Sequence, residues 1–224
     1  MWRMSSLFRR LGCEAHGCYN WLMRSGEEQV WDTLSGLDPA EVCIRTKVAY
    51  DASYGTYLLR SFLADIMVCP EERTLRSHSP MGSFLLGELG NHSRLSMLWY
   101  LIGAKDIPLL EELVNPSTLS GGEMFLRGTH VLPLDRIAKK YGPDTPAFLK
   151  VGRQLGGEEE GYADASVKLF PLPRVPVFIL LWQGDNEFPA NSTILFDSTC
   201  QAHLPVDIIW ATAMMSIQLM LRFC

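Results

Sequence analysis

The sequence predicts an α+β fold with mostly antiparallel sheet, helices packed on one side of it and a long apolar C-terminal helix. Residues 48–77 consist of short β-rich runs separated by turn residues, and residues 165–196 contain three further runs with strand patterns. Helical patterns lie before, between and after these two regions. The order helix, sheet, helices, sheet, helix is typical of α+β proteins and not of alternating βα units.

The length and composition predict one domain with an N-terminal appendage. A chain of 224 residues with 47% hydrophobic and 20% charged residues can bury a single core. Residues 1–26 have no clean apolar period and end in Arg-Ser-Gly, so we treat them as an appendage of undetermined order. Residues 27–224 are then the single α+β domain.

The first half of the domain is predicted to begin with two short helices. One covers Glu27 to Leu37, and the second starts at Asp38-Pro39, because proline suits the first turn of a helix, and runs to about Thr46. The β-rich runs from Val48 to Ser77 predict an antiparallel meander. We expect a loop next, followed by a helix from Ser93 to Ile102.

The second half carries the strongest strand patterns. Two helices, Pro133 to Tyr141 and Thr145 to Leu155, are separated by the breaker Gly142-Pro143. Three strands are predicted at Ala165 to Leu172, Val175 to Trp182 and Ser192 to Phe196. The second of these is a continuous apolar run, which is typical of a strand buried on both faces. The final helix is predicted to start at Leu204-Pro205.

Charge, hydropathy and cysteine usage exclude several functional classes. The net charge is −5 and no dense run of Lys or Arg lies beyond the first ten residues, so we expect no nucleic-acid partner. The uncharged run Ile208 to Leu221 is shorter than the roughly 18 residues of a membrane span, so we expect none. Six widely spaced cysteines in a chain without a secretory signal indicate reduced thiols and a cytoplasmic location.

Two acidic segments after predicted strands are candidate sites. Asp185 and Glu187 lie in the loop after the buried strand, where carboxylates can bind a ligand or transfer protons, although they also suit an ordinary solvated hairpin loop. Asp197 and His203 flank the connection to the final helix and are candidate metal ligands. Both could equally be loop or capping residues. We expect these two segments to approach one another at one rim of the sheet.

A glycine-bounded loop provides the third candidate site. Arg127 and His130 follow Gly121-Gly122, and glycines allow the backbone to approach a ligand closely. Arginine can pair bidentately with a carboxylate or phosphate, so an anionic ligand is the corresponding hypothesis. The alternative is that Arg127 satisfies carbonyl groups of its own loop.

Five motifs together carry a family resemblance. They are Arg127-Gly128-Thr129-His130, Leu172-Pro173-Arg174-Val175-Pro176, Leu181-Trp182-Gln183-Gly184-Asp185, Ile194-Leu195-Phe196-Asp197 and His203-Leu204-Pro205. Over roughly Glu28 to Phe223 the chain resembles an uncharacterised domain-of-unknown-function family of mainly anaerobic bacteria and archaea. Some members are fused behind an iron-sulfur cluster domain, which implies a redox or cofactor context. This chain has no run of closely spaced Cys-x-x-Cys, so that cluster domain is not expected here.

The resulting functional prediction is an accessory or binding module for an anionic small molecule or cofactor in iron-sulfur-linked redox metabolism. The resemblance implies an iron-sulfur or redox partner protein, and the C-terminal helix suggests a homo-oligomer. The alternatives are a small metal-assisted enzyme that uses the Asp/Glu/His cluster, and a pure protein-interaction domain with its Met-rich final helix against a partner. The sequence identifies no cofactor and leaves open whether the protein is an enzyme.

Overall fold

The computed structural model describes residues 26–126 and 128–223 as an α+β fold with two antiparallel sheets and helices around them. The predicted fold class is confirmed at this level. The predicted appendage lies outside the described residues, except for Gly26, which already belongs to the first helix, α1 (residues 26–35).

The first half forms the predicted pair of helices and the predicted meander. Helix α2 (Pro39–Thr46) begins where the Asp38 side chain accepts a hydrogen bond from the amide of Ala40, and it ends at Lys47 in a left-handed conformation. Four antiparallel strands follow in the order β1-β2-β3-β4, at Ala49–Asp51, Thr56–Ser61, Ala64–Cys69 and Thr74–Arg76. The prediction of an antiparallel meander is confirmed.

Helix α3 (Pro80–Gly87) occupies a segment that we predicted to be a loop. The Ser79 hydroxyl accepts a hydrogen bond from the amide of Gly82 at 3.0 Å, and Pro80 stands in the first turn, so a capped helix start is present in the sequence. The helical pattern of apolar residues was not detected, because the segment has only eight residues and two of them are glycines. Helix α4 (Asn91–Gly103) starts after Gly90, whose φ of 49° turns the chain sharply between the two helices.

The second half contains the larger sheet. Its strand order is β5-β9-β8-β7-β6, with every neighbouring pair antiparallel. Strands β7 (Ala165–Leu172) and β8 (Val175–Trp182) have the predicted bounds, and β9 (Asn191–Asp197) is one residue longer at each end. Two short edge strands, β5 (Leu113–Val114) and β6 (Glu158–Glu160), have no strand pattern in the sequence and were not predicted.

Strand β8 is the centre of this sheet. Its residues from Val175 to Leu181 are all buried, which is the burial that a continuous apolar run predicts. The last residue, Trp182, is 36% exposed, so the strand end reaches the surface before the loop that joins β8 to β9.

Three helices contact the larger sheet, namely α5 (Leu134–Tyr141), α6 (Thr145–Gln154) and α8 (Val206–Arg222). The short helix α7 (Cys200–His203) leads into α8. Helix α8 packs on α4, where the hydroxyls of Thr212 and Ser96 lie 3.2 Å apart. The two sheets meet where the amide of Phe62 donates to the carbonyl of Phe170 at 2.8 Å.

Most apolar side chains of the final helix are buried against other parts of the same chain. Met215 and Met220 are buried in the core, while Met214 is partly exposed. The prediction of a homo-oligomer through this helix stays a prediction. Within the described ranges, no helix has the length and apolar character that crossing a membrane requires.

Candidate functional site

The predicted acidic loop after β8 is exposed and self-contained. The carboxylate of Asp185 accepts hydrogen bonds from the amides of Phe188, at 2.7 Å, and Glu187, at 2.8 Å. These two bonds hold the pKa of Asp185 below its ordinary value. The side chain of Glu187 is exposed. Asp185 therefore stabilises the turn of its own hairpin loop.

Asp197 is buried at the opposite end of β9. Burial alone would raise the pKa of its carboxyl group, but hydrogen bonds from the Thr199 hydroxyl and from the amides of Thr199, Glu111 and Leu110 outweigh burial and lower it. The Thr199 hydroxyl lies 2.6 Å away and the amide of Glu111 2.8 Å away. Through these hydrogen bonds, Asp197 connects the segment before β5 to the turn before α7.

His203 is buried close to Asp197. Its Nδ1 accepts a hydrogen bond from the amide of Lys105 at 3.2 Å, and its Nε2 has no partner among the described residues. Burial lowers the pKa of His203 to about 4, and the positive charges of Arg174 and Lys105 act in the same direction against the opposing charge of Asp197. The imidazole is therefore neutral at neutral pH.

Arg174, at the turn between β7 and β8, is the buried cation beside His203, and the sequence analysis did not single it out as a site residue. Its guanidinium forms an ion pair with Asp106 and donates to the carbonyls of Ile107, at 2.9 Å, and Ile44, at 3.3 Å. The three partners come from α2 and from the segment after α4. Arg174 therefore ties the larger sheet to the first half of the chain.

The expected convergence of the two acidic segments is wrong. In an antiparallel hairpin, the loop after β8 lies at the start of β9, whereas Asp197 is the last residue of β9. Seven residues of strand separate the ends by roughly 20 Å. Throughout residues 26–126 and 128–223, no group of three or more His, Cys, Asp or Glu side chains could hold a metal ion.

The glycine-bounded loop is described only in part. Arg127 lies outside the described residues. The ring of His130 packs edge-on against Trp210 of α8, with centroids 5.0 Å apart, and its carbonyl accepts a hydrogen bond from the Trp210 indole at 2.5 Å. The opposite neighbour of Trp210 is His92 of α4, at a centroid distance of 5.3 Å. Trp210 thus connects the predicted loop to α4.

His92 lines a cleft that the sequence analysis did not predict. The cleft has a volume of about 560 Å³, within the range of small-molecule sites. We call it the four-helix cleft, because its lining comes from α3 and the turn after it, α4, α5 and α8: Phe84, Glu88, Leu89, His92, Arg136, Met214, Met215, Gln218, Leu221 and Arg222.

Helix α8 builds one wall of this cleft through its periodicity. Met214, Gln218 and Leu221 follow at helical spacing, so their side chains share one face. The C-terminal end of α8 is held by Lys140 of α5, whose ammonium group donates to the carbonyls of Leu221, at 2.9 Å, and Phe223, at 3.0 Å. This contact fixes the helix end that carries Arg222.

The basic groups of the cleft are available to a ligand. Among the described residues, Arg136 and Arg222 form no ion pair with a carboxylate, and both are exposed. The Arg222 guanidinium lies 5.9 Å from the centroid of the Phe84 ring. Burial lowers the pKa of His92, and a hydrogen bond to the carbonyl of Leu89 opposes that shift.

A family model described as a domain of unknown function, DUF3786, matches residues 38–219. The chain belongs to this family. The match confirms the resemblance to an uncharacterised family. No curated protein and no solved structure matches the chain.

Most of the four-helix cleft lies inside the stretch shared with the DUF3786 family. His92, Arg136 and the α8 face from Met214 to Gln218 fall within the matched residues, while Leu221 and Arg222 follow them. No local motif could have revealed the cleft, because its polar residues come from separate helices that are far apart in the chain. The only sequence signal is that Arg222 follows the uncharged run Ile208 to Leu221.

Proposed function

We propose that the protein is a binding module that holds a small anionic molecule in the four-helix cleft. One observation carries the proposal: Arg136 and Arg222 face the same cleft from different helices, and neither is paired with a carboxylate of the described chain. Guanidinium groups bind carboxylates and phosphates with charge-assisted hydrogen bonds. The apolar lining formed by Leu89, Met214 and Leu221 suits a ligand with a hydrophobic body.

The position of His130 supports the link to the predicted anion-binding loop. Its ring reaches the cleft residue His92 through the intervening indole of Trp210. An iron-sulfur or redox partner, and a role in iron-sulfur-linked metabolism, rest on the family resemblance alone and remain part of the hypothesis. We favour this proposal over the metal-assisted alternative, because Asp185 and Glu187 precede β9 whereas Asp197 ends it.

Binding of the fluorescent anion anilinonaphthalene sulfonate tests the proposal. Arg136→Gln and Arg222→Gln should each weaken its binding about tenfold, because each removes a charge-assisted contact. Lys139→Gln is the matched control: it removes one positive charge from the same helix as Arg136, at an exposed position that does not line the cleft. The control should bind like the wild type.

A neutral dye, Nile red, separates charge recognition from apolar binding. Its affinity should be the same for the wild type and both arginine variants. Equal sulfonate binding by the wild type and the double variant R136Q/R222Q would show that the cleft does not recognise anions, and the proposal would then fail.

A further inference from the structure

The four-helix cleft contains acceptor groups as well as cations. Glu88 lies one helical turn after Phe84 and is the acidic residue of the lining. Although Arg136 and Arg222 line the same cleft, Glu88 forms no ion pair with either of them, and its side chain is exposed. The carboxylate is therefore not used to neutralise the guanidinium groups.

His92 is a second acceptor beside Glu88. Burial lowers the pKa of His92, so its ring is neutral at neutral pH. In a neutral imidazole one ring nitrogen carries a lone pair and accepts a hydrogen bond. Glu88 and His92 can thus accept hydrogen bonds from a ligand, whereas the two arginines can bind an anion.

The remaining residues of the lining indicate which kind of ligand side chain the cleft suits. Leu89, Met214 and Leu221 present aliphatic and thioether surface, and methionine adapts to unbranched chains of different shape. The amide of Gln218 makes only a weak contact with the sulfur of Met214, at 3.6 Å, so it can also bond a ligand. An ammonium group suits a carboxylate better than a hydroxyl does, because the opposite charges attract.

We propose that the ligand is a zwitterion of the amino-acid class with an apolar, unbranched side chain. Its carboxylate binds to Arg136 and Arg222, its ammonium group binds to Glu88 and His92, and its side chain lies on the methionine and leucine surface. This inference rests on the proposed anion-binding function and specifies the ligand of the same cleft.

A set of four probes with the same carbon chain tests the inference by isothermal titration calorimetry. The probes are norleucine, its α-hydroxy analogue, the fatty acid caproate, and the corresponding amine without a carboxylate. We expect norleucine to bind about tenfold more tightly than caproate, the hydroxy analogue to fall between them, and the amine to bind least.

Glu88→Gln isolates the ammonium contact. The variant should weaken norleucine binding about tenfold and leave caproate binding unchanged or stronger. Glu71→Gln, at an exposed turn outside the cleft lining, is the matched control and should leave both affinities unchanged. Circular dichroism of both variants checks that they fold.

The outcomes separate this inference from the function on which it rests. Arginine-dependent caproate binding that equals or exceeds norleucine binding would overturn the zwitterion and preserve the anion site. Preference for the hydroxy analogue over norleucine would do the same. If neither caproate nor norleucine binds in an arginine-dependent way while the sulfonate dye does, the zwitterion inference fails and the anion site stands. If the dye also binds independently of the arginines, both proposals fail.

Discussion

Single buried residues couple the stability of this protein to pH, and His203 is the clearest case. Its side chain is buried between the chain after α4 and the turn that carries Arg174. The unfolded chain takes up a proton near pH 6.5, but the folded imidazole resists protonation until about pH 4. The stability that follows from this difference is complete above the unfolded value and is lost as the pH falls through this window.

We predict that His203→Asn flattens this pH dependence. Asparagine preserves an acceptor for the Lys105 amide but cannot titrate, so between about pH 7 and about pH 5 the wild type should lose about 2 kcal/mol more than the variant. Urea unfolding at the two pH values measures the difference. His78→Asn, at an exposed histidine, is the control and should retain the wild-type slope. Parallel slopes for the wild type and H203N would contradict the prediction.

At the scale of elements, β8 is the central strand of the larger sheet. It pairs with β7 on one side and β9 on the other, and its residue Phe178 is 5% exposed and packs edge-on against Tyr162 at a centroid distance of 6.2 Å. A strand in this position cannot move without disturbing both neighbours, so truncations within it should be costly.

Phe178→Ala is predicted to destabilise the fold by about 3–5 kcal/mol, because it leaves a cavity in the most buried strand. Denaturant unfolding measures the loss. Phe188→Ala is the matched control in the loop after β8: its ring is 68% exposed, and its removal should change stability by less than about 0.5 kcal/mol. A loss below about 1 kcal/mol for F178A would show that the Phe178 side chain contributes little to the packing of β8.

At the scale of the whole molecule, polar contacts join the two sheet regions. Tyr100 of α4 donates to the carbonyl of Thr46 at 2.7 Å, Arg174 binds the carbonyl of Ile44, and the amide of Phe62 bonds to Phe170. These contacts are backed by one buried apolar cluster that includes both halves of the chain. Neither half can lose its packing without exposing groups of the other.

We therefore predict a single cooperative unfolding transition. Tryptophan fluorescence and far-ultraviolet circular dichroism should give the same denaturant midpoint, as two-state unfolding requires. Arg174→Met should lower both midpoints equally, because it leaves Asp106 and two carbonyls without their shared donor. Two separated transitions, in either the wild type or R174M, would show that the halves unfold independently.

Local patterns were sufficient for the regular elements. The alternating run of β7 and the apolar run of β8 predicted both strands with their bounds, because the pattern of apolar side chains along a strand reflects which of its faces are buried. Helix α3 was not predicted, although Ser79 and Pro80 are typical of a helix start. Two glycines within its eight residues interrupt the helical pattern of apolar residues. The short edge strands β5 and β6 have no period to detect, and they exist because a longer neighbour provides hydrogen-bond partners.

The sequence by itself determined the α+β class, the order of the longer strands and helices, the candidate polar residues and the family resemblance. Only the tertiary structure decided which polar residues meet. It separated Asp185 and Glu187 from Asp197 and His203, because an antiparallel hairpin sends its loop to the far end of the strand. It also brought His92, Arg136 and Arg222 together from three helices, a proximity that arises from helix packing and not from spacing along the chain.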